Sequence, residues 1–241
     1  MKKTLLAIFV ALITALSCAV FVGCNIELGG ETETHFSADN KEGTVELFEG
    51  FFEGTLNNTN QVATVKNNDK VLFTLTIDGT SAYAEYDTTG AKVYAFIKDG
   101  TKIFAMDDAV SGSKYYLADE DLYEINYRAY NNFLDVFDNV PDDYTFDCKI
   151  DGTGYASTDE SKSYENLTMV ITVTVEGQGS MVINATSKNG LVDKCTITST
   201  DETASSEIEI TFVYGNATVT VPDITEWVNG EFTEDEVITE D

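Results

Sequence analysis

Apolar and polar residues follow two different periods along this chain, and the period that begins after residue 40 is helical. Apolar side chains recur there every three or four positions, which places them on one face of a helix. Asp39, with Glu42 three positions later, is typical of a capping box, and Asn57-Asn58 ends the pattern. We therefore predict a helix with a buried aromatic face that consists of Val45, Phe48, Phe52 and Leu56, widened by Leu47 and Phe51.

The period then changes to that of β-strands. β-Branched and aromatic residues collect in short segments joined by turn residues such as Asp99-Gly100. Such short turns connect antiparallel neighbours, so these segments predict a meander. Tyr94 and Phe96 alternate with Val93 and Ala95, which makes this strand apolar on both faces. The predicted strands are 61–66, 71–77, 80–86, 91–98, 101–107 and 113–118.

A second helical pattern interrupts the strands. Asp119 is its expected N-cap, and Asn139-Val140-Pro141 ends it. One apolar stripe consists of Leu122, Ile125, Ala129, Phe133 and Val136. A second stripe consists of Tyr123, Tyr127, Tyr130, Leu134 and Phe137. Because the two stripes cover more than half of its circumference, we expect this helix to be packed between two surfaces.

Strand periodicity with one polar face returns in the second half. The predicted strands there are 144–150, 163–176, 180–187, 191–199, 206–214 and 217–221. The pattern as a whole predicts an α+β fold with two helices and about 11–12 antiparallel strands. Strands with two apolar faces need cover on both sides, so we expect a strongly curved sheet, a half-barrel with both helices on its concave side. An acidic tail follows Pro222, and Trp227 is expected to pin its start.

The N-terminus has the layout of an export signal. Met1-Lys2-Lys3 is followed by an apolar run from Leu5 to Val22, and then by Gly23-Cys24. This layout resembles a bacterial lipoprotein signal, in which cysteine becomes the lipid-bearing first residue after cleavage. Phe21 stands where such signals usually have leucine. The alternatives are an ordinary secretory signal and an uncleaved membrane helix, for which 18 apolar residues are barely enough.

Together, the predicted signal and the predicted elements divide the chain into four parts. They are a signal peptide at 1–23, a flexible tether at 24–40, a β-rich domain at 41–222 and an acidic tail at 223–241.

The formal net charge of −28 limits the partners. Such a field repels phosphate backbones, so nucleic-acid binding is excluded. It also repels anionic lipid headgroups, so membrane attachment has to come from acyl chains on Cys24. The acidic residues are dispersed along the chain, and we interpret most of them as a contribution to solubility.

Residues for catalysis are scarce. His35 is the single histidine and lies in the predicted tether, which argues against serine or cysteine catalysis and against a zinc site. We therefore expect no enzyme activity and no cofactor. A calcium site in the acidic run Asp142, Asp143, Asp147 and Asp151 is left open, although a solvated loop is the favoured interpretation. The single arginine, Arg128, is expected to pair with Glu124 one turn earlier, and a latch across the sheet is the alternative.

Cys148 and Cys195 are the cysteines outside the leader and lie in predicted strands. Export would permit a disulfide between them, but two free thiols fit the sequence equally well.

The order of one helix, six strands, one helical interruption and further strands resembles the LolA/LppX-like lipoproteins over residues 40–222. The closing segment, from Ile208-Glu209-Ile210 through Val221-Pro222, contributes to the resemblance. Members of that group carry lipids or lipoproteins between a curved sheet and its helices, so the resemblance implies a similar space here.

We therefore predict a monomeric, non-catalytic lipoprotein on the outer face of the bacterial cell membrane, with a lipid or acyl chain as its ligand. The alternative is a structural or protein-interaction lipoprotein with a filled interior. Apolar excess indicates the ligand-binding residues Phe48, Phe52, Tyr94, Phe96, Ile125 and Phe133.

Overall fold

The computed structural model describes residues 33–137, 140–141, 144–155, 163–175, 179–200 and 204–230. They form a large, mostly antiparallel sheet of thirteen strands with two α-helices, the sheet-rich α+β class that the sequence predicts. The helices are α1 (Lys41–Asn57) and α2 (Glu120–Tyr127), and a short 3-10 helix spans Ala129–Phe133. The strands of the first half are β1 (Glu33–Ala38), β2 (Asn60–Asn67), β3 (Lys70–Asp78), β4 (Ser81–Tyr86), β5 (Lys92–Lys98), β6 (Thr101–Asp108) and β7 (Ser113–Leu117). Those of the second half are β8 (Thr145–Tyr155), β9 (Ser163–Val175), β10 (Gly179–Lys188), β11 (Leu191–Thr200), β12 (Ser205–Tyr214) and β13 (Val228–Asn229).

The chain forms two compact units. Among the described residues, the first contains those within 33–58, 65–70 and 130–212, and the second contains those within 59–64, 71–129 and 213–230. In the first unit β1, β8, β9, β10, β11 and β12 are hydrogen-bonded in that order. In the second unit the order is β3, β4, β5, β6, β7 and β13, and only the last pair is parallel.

Helix α1 covers one face of the first unit, where it packs on β1, β8 and β11. Its buried residues are Thr44, Phe48, Phe51, Phe52 and Thr55. The predicted stripe is therefore correct at Phe48 and Phe52, whereas Val45 and Leu56 are half-buried. The N-cap is Asn40 rather than Asp39, because the Asn40 side chain accepts a hydrogen bond from the Gly43 N–H at 2.9 Å.

The second helix is shorter than predicted, and of its two apolar stripes only the one with Tyr123 and Tyr127 is buried within α2. α2 ends at Tyr127, because the backbone of the next residue, Arg128, leaves the helical region, and a separate 3-10 helix follows. Tyr123 and Tyr127 are buried, whereas Leu122 is half-buried and Ile125 is exposed. Both tyrosine hydroxyls donate to backbone carbonyls of the turn between β3 and β4. These hydrogen bonds satisfy the hydroxyls, which lets the bulkier residues lie inside.

The predicted tether and tail are partly structured. Residues 33–38 form β1, which pairs with β8, and Val228–Asn229 form β13 beside β7. The predicted strand 217–221 has no strand pairing. Its backbone is held instead by the side chain of Asn60, which donates to the Ala217 carbonyl at 3.0 Å and accepts from the Ala217 N–H at 3.1 Å.

Candidate binding surface

The two faces of the strands β4 to β7 have different cover. Val93, Ala95 and Phe104 lie on the face covered by α2, since Lys102 on the same face reaches Glu120 and Glu124 of that helix. Tyr94 and Phe96 alternate with these residues and therefore lie on the opposite face.

Strand register aligns aromatic residues into a row on the face opposite α2. Tyr83 pairs with Tyr94, Tyr94 with Ala105, and Ala105 with Tyr116. Trp227, like Tyr94 and Tyr116, packs against the buried cluster that contains Ala105. We call Tyr83, Tyr94, Tyr116 and Trp227 the aromatic row. The ring centroids of Tyr83 and Tyr94 are 5.0 Å apart, and those of Tyr94 and Trp227 are 6.2 Å apart.

Trp227 owes its position to the segment that precedes β13. Ile224 is buried against Phe96 and Ile103, and the Trp227 N–H donates to the Ile224 carbonyl at 3.1 Å in a tight turn. The next residue of the chain, Val228, is held in place because it pairs with Tyr115 of β7. The expectation that Trp227 pins the start of the tail agrees with this packing, and the pinned segment becomes part of the second unit.

A second register-aligned row lies beside the aromatic one. Glu85 pairs with Lys92, Lys92 with Asp107, and Asp107 with Lys114. We call these four residues the charged row, because their signs alternate across the strands. The Lys114 ammonium lies 2.6 Å from Asp107 Oδ2 and 5.6 Å from the centre of the Trp227 ring. Lys114 therefore joins the two rows through an ion pair and a cation–π contact.

Two tyrosines of the row, Tyr83 and Tyr94, have raised pKa values. Burial, followed by the hydrogen bond to Glu85, raises the pKa of Tyr83 well above its usual range. Burial, followed by the negative charge of Asp107, also raises the pKa of Tyr94. The Tyr83 hydroxyl donates to Glu85 Oε2 at 2.9 Å. Both side chains are thus neutral phenols at physiological pH, and both are half-buried.

An open groove of about 780 Å³ adjoins Trp227 and Lys114. Hydroxyl groups, carboxylates and the indole ring all face it, so its lining is mixed in chemistry. The lining residues are Gly112, Ser113, Lys114, Asp223, Thr225, Glu226, Trp227 and Val228.

The outward face of the first unit has a different composition. Along β9 to β12, buried Ile171, Ile183 and Ile210 alternate with polar side chains. Lys66 and Lys194 both bind Glu209 there, at 2.8 and 2.5 Å. Other outward residues in these strands are Thr172, Thr174, Asn184, Thr196, Thr198 and Glu207. The aromatic row is therefore a local feature of the second unit.

No protein-family model matches this chain, and no curated protein matches it.

The six predicted ligand-binding residues are divided between the units. Phe48 and Phe52 contact each other in the first unit with ring centroids 4.7 Å apart, and Phe48 also meets Phe137 at 5.2 Å. Phe133 is half-buried in the same unit. Phe48, Phe52 and Phe137 thus fill space for one another, and Phe52 has no exposed surface.

The other three predicted residues belong to the second unit. Phe96 is buried and Tyr94 half-buried, and they share one face of β5. Ile125 lies on α2, which covers the opposite face, and is 37% exposed. The structure therefore brings Tyr94 and Phe96 together and leaves Ile125 apart from them. Sequence reasoning missed Tyr83, Tyr116 and Lys114, because only strand register shows that they share a face with Tyr94.

The two cysteines of the first unit are free and buried. Cys148 lies on β8 and Cys195 on β11, with β9 and β10 between them. Three strand spacings amount to about 14 Å, which is far beyond the reach of a disulfide. The disulfide that the sequence permits between Cys148 and Cys195 is therefore not formed in this structure. Burial raises the pKa of the Cys148 thiol to about 11 and that of Cys195 to about 12, so both thiols are protonated.

The remaining predicted features have mixed outcomes. Glu124 binds Lys102 at 2.5 Å, and the expected pair with Arg128 is absent from the ion pairs of the described residues. The Arg128 guanidinium instead lies 5.4 Å from the centre of the Tyr127 ring.

The described residues contain no cluster of three or more metal-ligating side chains. Asp142 and Asp143 of the acidic run, and Cys24 of the leader, lie outside the described residues. Neither described α-helix is long and apolar enough to cross a membrane.

Proposed function

We propose that this chain is a lipid-anchored, non-catalytic binding protein of the cell envelope, and that it binds through the aromatic row and the adjoining groove. The observation that carries the proposal is the position of Trp227. A buried isoleucine and a strand pairing hold this indole beside two register-paired tyrosines on a face that α2 does not cover. Rigid, half-buried aromatic rings give a large contact area at a low entropic cost, which is why binding surfaces are rich in them.

The anchor is supported by the leader. Its positive start, apolar run and Gly23-Cys24 junction favour lipidation of Cys24 and a location on the outer face of the bacterial cell membrane. The resemblance to the LolA/LppX group, with its curved half-barrel and helices on the concave side, belongs to the same proposal. It is supported by the order of helices and strands.

A hydrophobic ligand held between sheet and helices is the second candidate. It is favoured by the aromatic excess of α1, where Phe48, Phe51 and Phe52 are all buried on one side. The mutual packing of these rings argues for the first candidate, because side chains that fill each other's space offer little room to an acyl chain.

Residue-resolved lysine acetylation tests the proposed surface without assuming a ligand. Lys114 and Lys149 form a matched pair, since their side chains are 51% and 53% exposed and each contacts an aspartate, at 2.6 and 2.7 Å. Lys114 belongs to the charged row, whereas Lys149 lies in the first unit. We expect Lys114 to be acetylated several times more slowly than Lys149 in intact cells, and at a similar rate in the purified full chain. Equal acetylation of both lysines in cells would overturn the proposal.

A further inference from the structure

We infer that the ligand of the aromatic row is a neutral glycan chain. This inference rests on the proposed function and adds the chemical class of the ligand. It depends on three features. The face has aromatic rings, it has polar groups close to those rings, and the negative charge of the chain opposes the binding of anionic polymers.

The rings match one side of a sugar. A pyranose has an apolar C–H face and a rim of hydroxyl groups, so it packs flat against an aromatic ring while its rim binds polar side chains. Tyr83 and Tyr94 are cross-strand partners, and Trp227 follows at an angle to Tyr94. The row crosses β4, β5, β6 and β7, which is about 14 Å at the usual strand spacing. An extended chain of several sugar units fits such a length better than a single small molecule does.

The neighbouring polar groups match the rim. Glu85 and Asp107 supply carboxylate oxygens that accept hydrogen bonds from hydroxyl groups, and Lys114 supplies a donor. The groove beside Trp227 adds the carboxylates of Asp223 and Glu226. Because the charged row contains two acids and two lysines, it offers both donors and acceptors without a net charge.

The charge of the whole chain selects among polymers. A net charge of −28 repels nucleic acids, polyuronates and anionic lipid surfaces, and Asp223 and Glu226 extend that repulsion into the groove. Among the residues of the aromatic row and the groove lining, Val228 is the single aliphatic side chain of the kind that acyl chains contact most extensively. A neutral polyhydroxylated chain is the polymer that satisfies both conditions.

Trp227 is the single tryptophan of the chain, so its fluorescence reports on this surface alone. The experiment titrates the full chain, in a polyoxyethylene detergent without a sugar headgroup, with cellohexaose, xylohexaose and mannohexaose. Hexagalacturonate serves as the anionic probe. We expect a saturable change in Trp227 emission with at least one neutral hexasaccharide and none with hexagalacturonate.

Two tyrosine variants separate binding from folding. Tyr94→Ala removes the central ring and is expected to weaken binding about tenfold. Tyr86→Ala is the matched control, because Tyr86 belongs to the same strand as Tyr83 but lies on the opposite face, where its ring centroid is 5.2 Å from that of Phe73. It is expected to leave binding within about twofold of the parent chain. Circular dichroism of both variants confirms that each is folded.

Three outcomes would overturn the inference: no response to any of the three neutral hexasaccharides, a response confined to hexagalacturonate, or equal losses in the two variants. Its failure is distinguishable from failure of the proposed function. If Lys114 is protected in cells while all neutral hexasaccharides fail, the surface binds a partner of another class. If Lys114 is unprotected, the proposed surface itself is wrong.

Discussion

Gly54 lies where α1 comes closest to the turn between β10 and β11. A Cβ atom at this position would lie 2.3 Å from the carbonyl oxygen of Gly190. That oxygen belongs to the backbone of a turn with a positive φ angle, so it has little freedom to move. Thr55, the next residue of the helix, accepts a hydrogen bond from the buried Val192 N–H at 2.8 Å, which holds the helix at this distance.

We therefore predict that Gly54→Ala destabilises the first unit by about 1–3 kcal/mol, as overpacking does in well-packed cores. Gly50→Ala is the control in the same helix, since a Cβ there meets nothing within 4 Å. It is expected to stabilise the protein by about 0.5–1 kcal/mol through helix propensity. Urea denaturation followed by circular dichroism measures both, and a Gly54→Ala variant as stable as Gly50→Ala would refute the close contact.

Asn60 performs the role of a strand partner for residues 215–219. Its backbone carbonyl accepts from the Gly215 N–H at 3.0 Å, and its side chain makes two hydrogen bonds with Ala217. We predict that Asn60→Ala lowers the free energy of unfolding by about 1–3 kcal/mol, because the Ala217 backbone loses its side-chain partners. Asn184→Ala, at an exposed position of β10, should change stability by less than about 0.5 kcal/mol. Equal urea midpoints for the two variants would contradict this role.

At the scale of elements, α2 shows how far periodicity determines a buried face. Both apolar stripes fit a helix, and the sequence contains no feature that ranks Ile125 above Tyr127. The turn between β3 and β4 decides between them, because its carbonyl groups accept hydrogen bonds from the hydroxyls of Tyr123 and Tyr127. The helix start at Asp119 was predicted correctly, since its side chain accepts from the Leu122 N–H at 2.9 Å.

Substitutions on the two faces of α2 should lower the free energy of unfolding by very different amounts. Tyr127→Ala removes a buried ring that stacks on Tyr123 with centroids 5.5 Å apart, so we predict a loss of about 3–5 kcal/mol. Ile125→Ala removes a side chain that is 37% exposed, and its predicted loss is below about 1 kcal/mol. Thermal unfolding of both variants measures these losses of stability, and a larger loss for Ile125→Ala would contradict the burial of the tyrosine face.

For the whole molecule, local patterns predicted most elements but not their partners. Strands β2 to β12 and the first helix follow from alternation and turn residues, because those signals act between neighbours in the sequence. β1 and β13 were missed, since each forms only when β8 or β7 offers a free edge. The aromatic row also depends on the pairing of segments that are separated in the sequence. Tyr83, Tyr94 and Tyr116 come from three strands, and no local pattern encodes their register.

The claim that binding occurs on the outside of the second unit depends on an interior filled by the protein's own side chains. Native mass spectrometry of the full chain purified from cells tests this most directly. A filled interior predicts that no hydrophobic molecule is released from the anchored polypeptide on collisional activation. A hydrophobic molecule retained by most of the chains, and lost in the Phe52→Ala variant, would contradict it.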